Sequence, residues 1–258
     1  MLNYKKSTII FLAGCMIVLI FSFTFQLPVI IYFFWILLYL IVVTYGVIKL
    51  NASFFMPVLF KGNRNSKMIA LTFDDGPNIN VTPKVLNLLQ SHNIKATFFC
   101  IGSNIHDNKA LILEIHQRGH IIGNHTYSHS NTFDTFPTSK VKQELKETEE
   151  LFFTITGKRM HLFRPPFGIT NPHIAKAISL LDYKTIGWSI RTFDAVSGNK
   201  KKILKKVSNQ LQNGSIILLH DVNDYVLEIL EDIILLAKNQ GYDFITIDQM
   251  FSVEAYKN

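Results

Sequence analysis

Two adjacent carboxylates, Asp74 and Asp75, close the run Leu71-Thr72-Phe73-Asp74-Asp75-Gly76-Pro77. Met68–Phe73 reads as a strand, and neighbouring residues leaving a strand point in different directions. One carboxylate can therefore hold a cation while the other faces a substrate, and the cation keeps its neighbour ionised, as a general base requires. Taken alone, Asp-Asp-Gly-Pro fits a solvated turn equally well. His125 and His129 stand in the run His-Thr-Tyr-Ser-His. Histidines at i and i+4 share one face of a helical turn, so both imidazoles can reach one ion. With Asp75 they make a one-carboxylate, two-histidine set with open positions. Such a set suits Zn2+ and also admits Co2+, Ni2+ or Fe2+. His120 is a rival ligand, but it enters a short strand after Gly119 and is expected at the opposite end. Arg164 opens Arg-Pro-Pro-Phe-Gly, where a guanidinium can grip a carboxylate and the rigid turn can present a backbone N–H to an oxyanion. His220 ends Ile216-Ile217-Leu218-Leu219-His220 and titrates near neutrality, as an acid for a leaving amine must.

These residues need elements that bring them to one rim. The body shows short apolar runs alternating with helical patterns. Strands are expected at Met68–Phe73, Lys95–Ile101, Ile121–Gly123, His161–Phe163, Tyr183–Ser189, Ser215–Leu219 and Asp243–Ile247. Helices are expected at Thr82–Leu89 (with Thr82 as N-cap before Pro83), Asn108–Gln117, Ser139–Phe153, after Asn171-Pro172, at Lys200–Gln212 and at Val226–Asn239. A βα alternation favours a parallel sheet, and about seven strands suit a distorted (β/α) barrel, whose chemistry collects at the C-terminal strand ends. All four motifs fall just after such strands.

The front of the chain is different. No charged residue occurs from Ser7 to Ile48 in a chain of 258 residues. One helix of that length would run ~60 Å, about twice a bilayer core, so two spans are expected, near Ser7–Phe25 and Pro28–Ile48. Pro28 can open the second. A cleaved signal peptide explains only the first half. Leu12-Ala13-Gly14-Cys15 resembles a lipoprotein-processing box, although apolar residues continue beyond it. Residues 51–66 read as a linker and residues 67–258 as the catalytic domain. The net charge of +7 includes Lys5, Lys6 and Lys49 flanking the apolar stretch, which marks a bilayer as a partner. No nucleic-acid motif is present. Lysines at both ends place both ends, and the body with them, in the cytoplasm by the positive-inside rule. Cys15 and Cys100 are poor disulfide candidates.

In this order the motifs resemble those of the polysaccharide deacetylase family (the NodB-homology domain, carbohydrate esterase family four), across roughly Lys67 to Met250. Thr72–Gly76 matches its first motif, and His125-Thr126 with His129 the second. Arg164–Gly168 matches the third, and Leu219-His220 the end of the fifth. The resemblance implies that Asp74 is the general base and that Asp75, His125 and His129 hold a divalent metal. It implies that Arg164 orients Asp74, the Phe167 N–H faces the oxyanion, Leu219 lines the acetyl pocket and His220 is the acid. The fourth motif departs. Trp188 and Asp194 match, but Arg191 and Ala195 stand where the family often has Asp and Trp. Asp194 is then the carboxylate left to support His220, and Trp188 the remaining part of the sugar wall. The implied reaction is hydrolysis of N-acetyl groups on an acetylated amino-sugar glycan of the cell envelope, peptidoglycan or chitooligosaccharide-like, with no organic cofactor. The alternatives are a lipid-linked amino sugar at the inner leaflet, an O-acetyl esterase on the same scaffold, and a membrane-tethered glycan-binding pseudoenzyme. The expected location is a bacterial-type cytoplasmic membrane crossed twice. An envelope substrate lies outside, against the lysine pattern.

Overall fold

The computed structural model describes residues 3–196 and 198–257. Two apolar helices, α1 (Tyr4–Phe25) and α2 (Ile30–Ile48), form an antiparallel hairpin. Both are long and apolar enough to cross a membrane. They meet through aromatic rings and small residues. The Trp35 indole lies against Gly14, where any Cβ would collide with it, and its Nε1 donates to the Phe11 carbonyl at 3.1 Å. The helices start slightly off expectation. Asn3 accepts from the Lys6 N–H and starts α1 three residues early, while α2 begins two residues beyond Pro28.

The body is a parallel sheet wrapped by helices. In chain order its strands are β1 (Val58–Leu59), β2 (Met68–Asp74), β3 (Thr97–Cys100) and β4 (Ile121–Asn124). The short β5 (Arg159–Met160) lies apart, and β6 (Leu162–Phe163), β7 (Lys184–Ile186), β8 (Ile190–Arg191), β9 (Ile216–His220) and β10 (Asp243–Phe244) follow. A final β11 (Tyr256–Lys257) pairs antiparallel with β5. The main order is β1-β7-β6-β4-β3-β2-β9-β8, with β10 joined to the start of β2. Ile69–Phe73 of β2 are fully buried, the mark of a strand covered on both faces.

The run 184–191 explains the distortion. Expected as one strand through Ser189, it breaks at Gly187–Ser189 and reaches opposite sides of the sheet. Its first part pairs with β1 and β6, and Gly187 N–H donates to Leu59 O at 2.8 Å. Its second part pairs with β9, and Ser189 N–H donates to Ile216 O at 3.0 Å. One bent stretch of chain therefore supplies both the strand next to the β1 edge and the β8 edge strand on the other side.

Around the sheet pack α3 (Thr82–Ser91), α4 (Gly102–Asp107), α5 (Lys109–Gln117), α6 (Thr138–Thr156), α7 (Pro172–Leu180), α8 (Lys200–Gln210), α9 (Tyr225–Asn239) and α10 (Ile247–Phe251). Asn171 caps α7 through its side chain, accepting from Ile174 N–H at 2.9 Å. Thr82 is not the expected cap. It sits inside α3, and its hydroxyl accepts from Asn78 N–H and donates to Asp221.

The segment expected to be a linker is part of the barrel. It carries β1, and Phe54, Met56 and Val58 are buried. Its apolar run is short and broken by Pro57, so no periodicity announces a strand. The hairpin is joined to the body through this segment. Tyr4 N–H donates to Phe54 O at 2.9 Å, Thr170 N–H to Val47 O at 3.2 Å, and Asn51 Nδ2 to Trp188 O at 2.9 Å.

Candidate active site

The C-terminal ends of β2, β4, β6, β8 and β9 frame a cleft of about 190 Å³. It is lined by Asp74, Asp75, His125, His129, Phe167, Trp188, Arg191, Leu218 and His220, among others. Asp74 is the last residue of β2 and is nearly buried. Asp75 then takes a left-handed conformation (φ 73°), which turns its carboxylate away from that of its neighbour. Asn104 Nδ2 holds the Asp75 carbonyl at 2.8 Å.

Asp75 Oδ1 lies 3.3 Å from His125 Nε2 and 3.3 Å from His129 Nε2. The three donor atoms fall within 4.8 Å of one another. The residues fit a cation by two further signs. Asp75 Oδ1 is buried without a hydrogen-bond partner, and His125 Nδ1 lies 2.8 Å from Arg164 O. That second contact makes Nδ1 the protonated nitrogen and leaves the Nε2 lone pair facing Asp75 and His129, the arrangement of a metal-ligating histidine. Burial alone would raise the Asp75 pKa, but the imidazoles of His125, His129 and His220 around it hold it well below the usual carboxylate range.

The two histidines do not meet across a helical turn. Residues 125–129 form an irregular bend with Thr126 (φ 67°) and His129 (φ 47°) left-handed. Glu144 of α6 holds this bend, accepting from Tyr127 N–H (3.1 Å), Ser128 N–H (2.8 Å) and the Ser128 hydroxyl (3.0 Å). Thr126 Oγ1 accepts from His129 N–H at 3.1 Å. Sequence spacing thus named a pair that the structure does bring together, but by a different local geometry, and it missed Glu144, which lies on a helix of many charged residues.

Arg164 follows β6 and is fully buried. Its Nη1 donates to Asp74 Oδ1 at 2.7 Å and to Thr72 Oγ1 at 2.8 Å, and its Nη2 donates to Gly187 O at 2.9 Å. The guanidinium stacks on Phe99, 4.1 Å from the ring centre. A planar cation with this many partners fixes the Asp74 carboxylate in one orientation. Strand alternation puts Thr72 on the same face as Asp74, a signal present in the sequence but not used.

His220 ends β9. Its Nδ1 lies 2.9 Å from Asp194 Oδ1, and its backbone N–H donates to Asp194 Oδ2 at 2.8 Å. Thr192 Oγ1 donates to the same carboxylate at 2.6 Å. Burial opposes protonation of His220, but the Asp194 hydrogen bond and the charges of Asp74, Asp194 and Asp75 raise its pKa above the ordinary histidine value.

One expected residue is misplaced. Leu219 does not reach the cleft. It is fully buried beside Phe73 in the core, while Leu218 lines the cleft. The cause is the two-residue period of a strand, which puts positions 218 and 220 on one face and 219 on the other. His120 lies at the far end of the sheet, as expected. Its Nδ1 accepts from Ala96 N–H, and burial pushes its pKa down to about 4. Phe167 sits at the cleft edge in a left-handed conformation (φ 58°), its ring 4.9 Å from that of His129.

The fold and the cleft define a distorted (β/α) barrel that carries an Asp-His-His set between two supported polar pairs, Asp74–Arg164 and His220–Asp194. The family described as polysaccharide deacetylase matches residues 61–186. Over 195 residues, 74% of each chain, the sequence is 37% identical to the peptidoglycan-N-acetylmuramic acid deacetylase PdaA of Bacillus subtilis. It is also 37% identical over 202 residues to the peptidoglycan-N-acetylglucosamine deacetylase PgdA of Listeria monocytogenes, covering 78% of this chain but only 42% of that one. The crystal structure of the peptidoglycan N-acetylglucosamine deacetylase Bc1960 superposes with a TM-score of 0.74 at 32% identity, covering 78% of this chain and 95% of that one. The chain belongs to the polysaccharide deacetylase family.

Proposed function

We propose that this protein is a membrane-anchored, metal-dependent N-deacetylase of acetylated amino sugars in peptidoglycan. The observation that carries the reading is the meeting, in one cleft, of the Asp75–His125–His129 set with Asp74 on one side and His220 on the other. A divalent cation held by those three residues, Zn2+ first among the candidates, supplies Lewis acidity toward the acetyl carbonyl and toward water. Asp74, oriented by the Arg164 guanidinium, accepts the proton of the attacking water. The water oxygen bonds to the acetyl carbon as the carbonyl electrons move to oxygen, where the Phe167 N–H stands to receive charge. The C–N bond then breaks, and His220, supported by Asp194, gives its proton to the departing sugar nitrogen. The products are acetate and the free amino sugar. Trp188 and Phe167 form apolar cleft walls against which a sugar ring and an acetyl methyl can lie, with Leu218 taking the place expected of Leu219.

The relatives named for N-acetylglucosamine and N-acetylmuramic acid both support a peptidoglycan substrate. A lipid-linked amino sugar is the second reading, and one observation favours it. The end of α2 is hydrogen-bonded to the loop after Arg-Pro-Pro-Phe-Gly, and Asn51 to Trp188 of the cleft, so the mouth sits beside the apolar hairpin.

Acetate release by the full chain in detergent tests the proposal, with peptidoglycan, a chitooligosaccharide and an O-acetylated sugar compared. Amide hydrolysis that is abolished by chelation and restored by Zn2+ is expected. Ester hydrolysis alone would overturn the amide assignment. Asp74→Asn should keep the bound metal and lose about 100- to 10,000-fold in turnover. A variant that loses the metal along with the activity would make Asp74 a ligand instead.

A further inference from the structure

Arg191 is the residue that departs most from the family pattern, and its surroundings are unusual for a cleft cation. It ends β8 and lines the same cleft as Asp75 and His220. Its guanidinium lies between two aromatic rings, 5.5 Å from the centre of Trp188 and 5.0 Å from that of Phe193. Among the described residues it forms no ion pair with a carboxylate, and its buried Nε has no hydrogen-bond partner. The nearby acids are already engaged, Asp74 by Arg164 and Asp194 by His220 and Thr192.

A second cation adds to the first. Lys206 of α8 places its ammonium 4.3 Å from the Phe193 ring centre, so both cations share that ring. Burial, followed by the charges of Arg191 and Lys202, holds Lys206 below the ordinary lysine value. Lys206 does not line the cleft, and its charge adds to the positive potential at the Phe193 side of it. A guanidinium held flat by rings, with an unused N–H edge, is suited to a carboxylate or phosphate.

We propose that Arg191 forms an anion subsite of the cleft that receives a carboxylate or phosphate carried by the acetamido sugar. The inference rests on the deacetylase reading and narrows it. A neutral sugar leaves the subsite empty. Muramic acid offers a carboxylate, and a lipid-linked sugar offers a phosphate. A charge-assisted hydrogen bond lost from such a site corresponds to a discrimination of roughly 10- to 100-fold.

The test compares kcat/KM of the full chain in detergent on three probes. They are a neutral N-acetylglucosamine trisaccharide, a peptide-free glycan strand containing N-acetylmuramic acid, and N-acetylglucosamine 1-phosphate. The wild type should prefer at least one anionic probe by about tenfold or more, and Arg191→Gln should bring that ratio close to one. Arg191→Lys should recover part of it. The probe whose preference depends on Arg191 tells carboxylate from phosphate. A wild type with no anionic preference, or an Arg191→Gln variant that slows all probes in equal proportion, would overturn the subsite. Calorimetric binding of the same probes covers the case in which none is hydrolysed. That result would sink the deacetylase reading, while an anion preference lost with Arg191 would still uphold the subsite and equal binding would still refute it.

Discussion

His220 shows how a single residue can be read through the partner that holds it. To act as an acid it must be protonated, so the rate falls as pH rises through its pKa. Asp194 raises that pKa by hydrogen bonding and by charge. Asp194→Asn should therefore move the alkaline limb of the kcat/KM profile to lower pH. An unmoved limb would mean that Asp194 only shapes the loop. Asp221 makes a prediction about stability. Burial pushes its carboxyl up to about 7, and the Thr82 hydroxyl donates to one of its oxygens while the other has no partner. An unfolded aspartate titrates near ~3.9. A raised folded pKa contributes stability that is complete below the unfolded value and is lost as pH rises through about 7. Asp221→Asn should flatten this fall, as measured by denaturant midpoints of the full chain at pH 5 and pH 8. A wild type whose midpoint does not fall over that range would show that Asp221 stays ionised.

At the scale of elements, what was legible in the sequence depended on what lies next to what. The four motifs could be read because each follows a short apolar run that becomes a strand, and parallel strands bring their ends to one rim. Glu144 could not be read, since its value comes from α6 packing beside the His125–His129 bend. The strand at Val58–Leu59 was hidden by its length and by Pro57, and Leu218 was passed over for Leu219 because face was not counted from His220. Two predictions belong here. Glu144→Ala releases the Tyr127 and Ser128 N–H groups and should weaken metal affinity about 10- to 100-fold, as outer-shell losses do. A competition titration against a chelator measures it, and an unchanged affinity would show that the bend holds without α6. Met56→Ala and Val58→Ala should each destabilise the body, by ~2–5 kcal/mol for the larger side chain. A true linker would show no change in the unfolding midpoint.

For the whole molecule, the hairpin ties the membrane question to the cleft. Tyr4 at the start of α1 and Val47 at the end of α2 both hydrogen-bond to residues beyond the hairpin, so both helix ends lie on the side of the body. In the proposed membrane-anchored reading, Lys5, Lys6 and Lys49 then share a side with the cleft, whichever side that is. The positive-inside rule draws these lysines to the cytoplasm, whereas the relatives named for peptidoglycan point outward. The expectation is that Asn3→Cys and Glu254→Cys are both labelled by an impermeant thiol reagent added to intact cells, in a Cys15→Ser, Cys100→Ala background. Labelling of one without the other would dismantle the hairpin. Protection of both would place the cleft inside, remove intact peptidoglycan as the substrate, and leave the lipid-linked sugar, which a mouth joined to the base of the hairpin is placed to meet at the bilayer surface.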